Sequence, residues 1–299
     1  MKIHATALVL VLLFDFAQSQ SLESRYQGLG EMFVPELTSA PFPHSSRMLG
    51  HTYRGENFTP AMHYSDSRVA IFIPNGFNPL EPVNLVIYFH GWRNNINKAC
   101  EQFELIEQFA ASKKNAVFVF PEGPRDAPDS GGGKMEDQNG LKNLVSDLLK
   151  YLQNEGKIAS TALGQIVLAG HSGAYRAIAF SLDRGGLTGH VSDIILFDAL
   201  YWNVDMFSDW IRNYNGRFID IYTEHGGTMA LSLGLMDSLS AWKIPFIKTE
   251  ELDLKRPHLT DNRLVFIHSD LSHNQVIAER RQFHTFLATS RIASLPEKE

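Results

Sequence analysis

The apolar positions of this chain fall into two alternating rhythms. Short, nearly continuous apolar runs recur as Arg68-Val-Ala-Ile-Phe-Ile73, Asn84-Leu-Val-Ile-Tyr-Phe89, Ala116-Val-Phe-Val-Phe120 and Gln165-Ile-Val-Leu-Ala169. Three more follow as Asp193-Ile-Ile-Leu-Phe197, Phe218-Ile-Asp-Ile-Tyr222 and Leu264-Val-Phe-Ile267. Runs this short without polar alternation predict strands buried on both faces. Between them the period becomes helical. Leu141, Leu144, Leu148, Leu149 and Leu152 mark a helix over residues 141–153, and further helices are predicted over 98–113, 174–182 and 274–289. Strands alternating with amphipathic helices predict an α/β domain with a mostly parallel central sheet flanked by helices on both faces. Reactive groups in such sheets gather at the carboxyl ends of the strands.

Residues 20–65 are rich in Pro, Ser, His and Gly with little periodicity, and read as an N-terminal arm or small sheet extension before a domain spanning 66–299. Ahead of the arm, Lys2 precedes an apolar stretch over residues 5–14 and the small-x-small triplet Ala17-Gln18-Ser19. This is the pattern of a cleaved signal peptide, residues 1–19, and its core is too short for a bilayer span of ~20 residues. An exported protein, periplasmic or secreted, is expected, with no stable membrane insertion. The single cysteine, Cys100, excludes an intramolecular disulfide and a thiolate zinc site, and reads as a small packed residue. A net charge of −6 without a basic cluster gives no reason to expect a nucleic-acid partner. The chain lacks a phosphate-loop or His-x-x-Glu-His pattern, so no cofactor or metal is expected. The glycine-rich segment 124–134 reads as a flexible loop beside a cleft.

The chemistry concentrates where the fourth run stops. Gln165-Ile-Val-Leu-Ala-Gly-His-Ser-Gly-Ala174 is a strand that ends abruptly in Gly-x-Ser-x-small before a helix. So tight a turn needs neighbours with almost no side chain, which Gly170, Gly173 and Ala174 satisfy, and it points the Ser172 hydroxyl out of the sheet. Other polar residues directly after strands are His90-Gly-Trp92, Glu122, Asp198, Glu224-His225 and the stretch His268 to His273.

The elbow Gly170-His-Ser-Gly-Ala174, the sequence Phe89-His-Gly-Trp92 after an early strand, and His273 between the last strand and the last helix occur in the order of the α/β-hydrolase superfamily. Over roughly residues 66–290 the chain resembles that superfamily. The resemblance implies Ser172 as nucleophile, His273 as general base, and an oxyanion hole made by the N–H groups of Gly173 and Trp92. One such donor is worth ~3 kcal/mol of transition-state stabilisation. His171 and His90 read as structural, the latter as an organiser of the oxyanion loop, and His268 as the end of a strand. Most of the superfamily places the triad acid where Glu224 stands, and some lipases one strand earlier, at Asp198. The physical argument favours Asp198, because a carboxylate directly after an apolar strand is desolvated and needs a partner such as a histidine N–H.

Between Asp198 and Phe218 only a short helix is predicted, which leaves no room for a cap domain. The cleft is therefore expected to be open to a small-molecule or polymeric ester, with Trp92, Tyr201 and Trp202 as candidate lining residues. The expected activity is hydrolysis of carboxylic esters through an acyl-enzyme. A serine peptidase or amidase, a transferase with the same triad, and a catalytically silent binding protein are the alternatives.

Overall fold

The structure is a computed structural model that describes residues 21–296, so the expected signal peptide lies outside the described residues. Its strands are β1 (Gly30–Phe33), β2 (His51–Tyr53), β3 (Glu56–Phe58), β4 (Val69–Pro74), β5 (Val83–Phe89), β6 (Val117–Pro121), β7 (Leu163–His171), β8 (Val191–Phe197), β9 (Arg217–Thr223), β10 (Ile247–Glu250) and β11 (Leu264–Ser269). All but the β2–β3 hairpin join one sheet in the order β1-β4-β6-β5-β7-β8-β9-β11-β10. β1 and β4 run antiparallel to their neighbours, and every pairing from β6 to β10 is parallel. β7 therefore sits at the centre of the sheet, and the elbow opens at its carboxyl end.

The continuous apolar runs are explained by two buried faces. In β5, Leu85, Ile87 and Phe89 pack on one side, while Val86 and Tyr88 pack on the other. In β8 the same split puts Ile194 and Leu196 against Ile195 and Phe197. The first face is covered by the helices Gly140–Asn154, Tyr175–Arg184, Val204–Asn213 and Met229–Ala241, and the second by Ile96–Gln102, Leu105–Ala111 and Gln282–Ala288. Each fully buried aliphatic or aromatic side chain contributes roughly 1.5–3 kcal/mol, so a substitution that opens a void in either layer is felt at the sheet. Cys100 is buried in the second layer. No helix among the described residues is long and apolar enough to cross a membrane.

Within residues 20–65, β1 extends the sheet beside β4. Other elements depart from their expected form. β10, whose Ile-Lys-Thr-Glu sequence carries no strand pattern, is the half-exposed edge beyond β11. The helix expected over 98–113 is two helices that break at Glu104, which takes φ +48°. The helix expected over 274–289 is helical only from Gln282, after Arg281 at φ +52°. Both breaks are closed by one buried side chain. The Gln108 amide donates to the carbonyls of Phe103 and Ile277, and its oxygen accepts from the His284 N–H at 3.0 Å. The loop after β6 is tethered, with Asp129 accepting two bonds from the Arg47 guanidinium at 2.6 and 2.8 Å.

One buried polar group stands apart from this framework. Asp220, in the middle of β9, is fully buried, accepts from Ser232 Oγ at 2.6 Å, and has no partner for Oδ1 among the described residues. Burial pushes its pKa up to about 7, against the Ser232 hydrogen bond and with help from the negative charge of Asp198. The folded state then keeps a proton that the unfolded chain releases between about pH 4 and pH 7, so this carboxyl costs stability progressively as pH rises through that window. Asp220→Asn, which cannot ionise, is expected to melt higher than the parent at about pH 8 and close to it at about pH 4. Equal differences at the two pH values, measured by calorimetry, would contradict the assignment.

Candidate active site

β7 ends at His171, and Ser172 follows with φ +56°, in the left-handed region that side chains other than glycine seldom occupy. The helix Tyr175–Arg184 then folds directly back over the strand. That return leaves no space at Gly170, where a Cβ would stand 2.5 Å from Ala174 Cβ and 2.9 Å from Ile178 Cδ1. The loop after β5 runs equally close. A Cβ on Gly91 would lie 2.6 Å from Ser172 Cβ and 3.1 Å from the Gly173 nitrogen. The Gly91–Trp92 peptide therefore passes alongside the elbow, and the Trp92 N–H finds no acceptor among the described residues.

Asp198 is the first residue beyond β8 and is fully buried. Its Oδ2 accepts from His273 Nδ1 at 2.6 Å and from Thr223 Oγ1 at 2.7 Å. Its Oδ1 accepts from the Thr223 N–H at 3.3 Å and from the Thr228 hydroxyl. Burial alone would raise this carboxyl, but the hydrogen bonds from His273, Thr228 and Thr223 outweigh it and hold the pKa below the ordinary aspartate range. Because a carboxylate only accepts, His273 carries a proton on Nδ1, which in the neutral ring leaves Nε2 as the acceptor. Ser172, His171 and His273 line the same cleft, although Ser172 makes no hydrogen bond to His273 in this structure.

The competing candidates stand elsewhere. Glu224 is exposed on the β9 loop and forms no hydrogen bond or ion pair with His273. His268 stays in β11, bonded to Glu250 Oε2 at 2.7 Å and tilted against Tyr222. His90 is buried, with Nδ1–H donating to the Gly91 carbonyl at 2.7 Å and Nε2 3.1 Å from both the Gly123 N–H and Glu122 Oε1. It thus braces the loop that carries Trp92. His171 bonds to the His273 carbonyl and lies tilted against its ring.

Nothing in the sequence pattern singles out Thr223 and Thr228. Thr223-Glu-His-Gly-Gly-Thr228 reads as a solvated loop, yet its two threonines clamp the buried carboxylate. Gly226 lets them do so, since a Cβ there would stand 1.7 Å from Asp198 Oδ2. A buried strand-end aspartate demands such donors, and that demand was the available signal.

The cleft holds about 600 Å³. Trp92 walls one side, fixed by its Nε1–H bond to Ser130 Oγ at 2.7 Å and by an edge-on contact with Tyr53 of β2, ring centroids 5.1 Å apart. Tyr175 and Tyr201 line it as well, their centroids 6.2 Å apart. The Tyr201 hydroxyl donates to the Gly226 carbonyl. Burial raises its pKa, and the negative charge of Asp198 adds to the rise. Trp202 is 70% exposed and takes no part in the lining. The short helix Val204–Asn213 leads straight from β8 to β9 with no inserted cap, and Phe207, Trp210 and Ile211 bury it against the sheet.

No family model matches this chain, and no curated protein does. Among solved structures, it is similar to a mutant feruloyl esterase module from Clostridium thermocellum in complex with sinapinate. That match has a TM-score of 0.55 at 11% identity and covers 91% of this chain and 92% of the other. The substrate-bound fluorophosphonate-binding serine hydrolase F of Staphylococcus aureus gives a TM-score of 0.54 at 9% identity, covering 87% of this chain and 99% of that one. At such identities the likeness is one of fold, and the fold of this chain is that of the α/β hydrolases.

Proposed function

We propose that this protein is an exported serine hydrolase that cleaves carboxylic esters through an acyl-enzyme. The observation that carries the reading is the 2.6 Å bond from His273 Nδ1–H to a buried Asp198, in a cleft that also contains an elbow serine. Asp198 fixes the tautomer in which His273 Nε2 is free to take a proton, and its charge stabilises the imidazolium that forms. Ser172 Oγ attacks the ester carbonyl as His273 removes its proton, and the Ser172–His273 hydrogen bond closes in the substrate complex, as such bonds commonly do. The negative charge that develops on the carbonyl oxygen is received by the N–H groups of Gly173 and Trp92. His273 then protonates the departing alcohol, and water releases the acid by the same route in reverse.

Aromatic walls at Trp92, Tyr175 and Tyr201 favour a planar acyl group, and the neighbour bound to sinapinate points in the same direction. The preferred substrates are accordingly esters of aromatic carboxylic acids, hydroxycinnamates among them.

The first test is labelling of the protein from residue 20 onward with a fluorophosphonate probe. The parent is expected to label, and Ser172→Ala and His273→Ala are expected to lose the label while remaining folded. A folded parent that does not react would leave a binding protein on a hydrolase fold. The second test concerns substrate. Methyl ferulate is expected to be cleaved with a higher kcat/KM than methyl butyrate, and Trp92→Ala is expected to lower the ferulate value by about tenfold, a loss of ~1.4 kcal/mol. Equal losses for both esters would remove Trp92 as the aromatic wall.

A further inference from the structure

We infer that His171, the residue directly before the elbow serine, is a positioning residue that holds both the main chain and the ring of His273. The inference rests on the triad proposed above and concerns how its histidine is kept in place. His273 lies in the non-helical stretch before Gln282, so no regular element fixes its backbone. Among the described residues, the one hydrogen bond to its main chain comes from His171, whose Nε2 lies 2.8 Å from the His273 carbonyl oxygen. A carbonyl only accepts, so His171 carries its proton on Nε2. The same ring is a platform for the His273 imidazole, with centroids 4.4 Å apart and planes inclined by 36°. Phe103 backs His171 from the other side, edge-on at 5.1 Å, so the platform is itself packed.

The arrangement keeps charge away from the second ring. Burial, with the neighbouring His273 acting in the same direction, lowers the pKa of His171 to about 3, against the carbonyl hydrogen bond and the charge of Asp198. When His273 takes the serine proton, it therefore faces a neutral π surface and not a second cation. The titratable groups facing His171 are His273 and Asp198. One side chain thus links the strand that carries the nucleophile to the loop that carries the base. A shift between these two elements of about 1 Å is enough to cost ~100-fold in rate.

The test uses His171→Phe, which keeps a ring but no N–H, and His171→Gln, which keeps an N–H donor but no ring. The kcat and KM for an aryl ester are measured per site titrated with fluorophosphonate, so that any misfolded fraction drops out. Both variants are expected to lose about tenfold or more in kcat, with KM within about twofold of the parent. A kcat per titrated site within about twofold of the parent in both variants would overturn the inference. A parent that fails to label would overturn the hydrolase reading itself, which keeps the two failures distinct. A measurement independent of the variants is available in the parent labelled with nitrogen-15 histidine. There His171 is expected as the neutral Nε2–H tautomer from about pH 5 to pH 8, and the Nδ1–H tautomer or a charged ring would overturn the inference.

Discussion

The burial of one carboxylate organises the functional end of this molecule. Asp198 has no access to water, and an unpaired buried charge costs several kcal/mol. It is kept ionised by donors from three places in the chain, the Thr223 backbone and hydroxyl, the Thr228 hydroxyl and His273 Nδ1. Each donor constrains the segment it comes from. The β9 loop must turn tightly enough to bring both threonines inward, which only a residue without a side chain at Gly226 permits. The stretch after β11 must carry its histidine back over the end of β8. Asp198 itself takes φ +46°, a conformation aspartate tolerates better than most residues. Strain at the acid and at Ser172 is held by the parallel strands β7 and β8 beneath them, whose side chains fill both core layers.

Close backbone approach does the rest. The two candidate oxyanion donors come from loops far apart in sequence, yet Gly91 brings the loops within contact of each other beside the serine. His90 holds the Gly91 carbonyl from below, and Ser130 and Tyr53 hold the Trp92 ring from the side. The cleft is thereby preorganised on one wall by hydrogen bonds and on the other by Tyr175 and Tyr201. Donors that are fixed in advance spend nothing on reorganisation when charge develops on the substrate.

Much of this was legible from residue types and spacing. Runs such as Leu85 to Phe89 announce strands because both faces of a central strand are apolar, and Gly170 with Ala174 announces the elbow because nothing larger fits. The parts that were not legible depend on contacts distant in sequence. The break at Glu104 and the late start of the last helix at Gln282 are stabilised by Gln108, a residue that looks like any helical glutamine until its bond to the nearby Phe103 carbonyl and its two long-range bonds are seen. β10 is polar enough to pass for a loop and becomes a strand only because β11 offers it an edge. Thr223 and Thr228 sit in a loop whose polar composition suggests solvent, while their hydroxyls face inward. Glu224 is nominated by the superfamily's usual place for the acid, and its polar neighbours agree with the exposure of its side chain.

The role given to Asp198 is tested most directly by the kcat for an activated ester in Asp198→Asn and in Glu224→Gln. The asparagine favours the wrong tautomer of His273, so kcat is expected to fall by about 10⁴ in Asp198→Asn with Ser172 still in place, and to stay within about twofold of the parent in Glu224→Gln. A large loss in Glu224→Gln beside an active Asp198→Asn would contradict the assignment of the acid and with it the mechanism built on that buried pair.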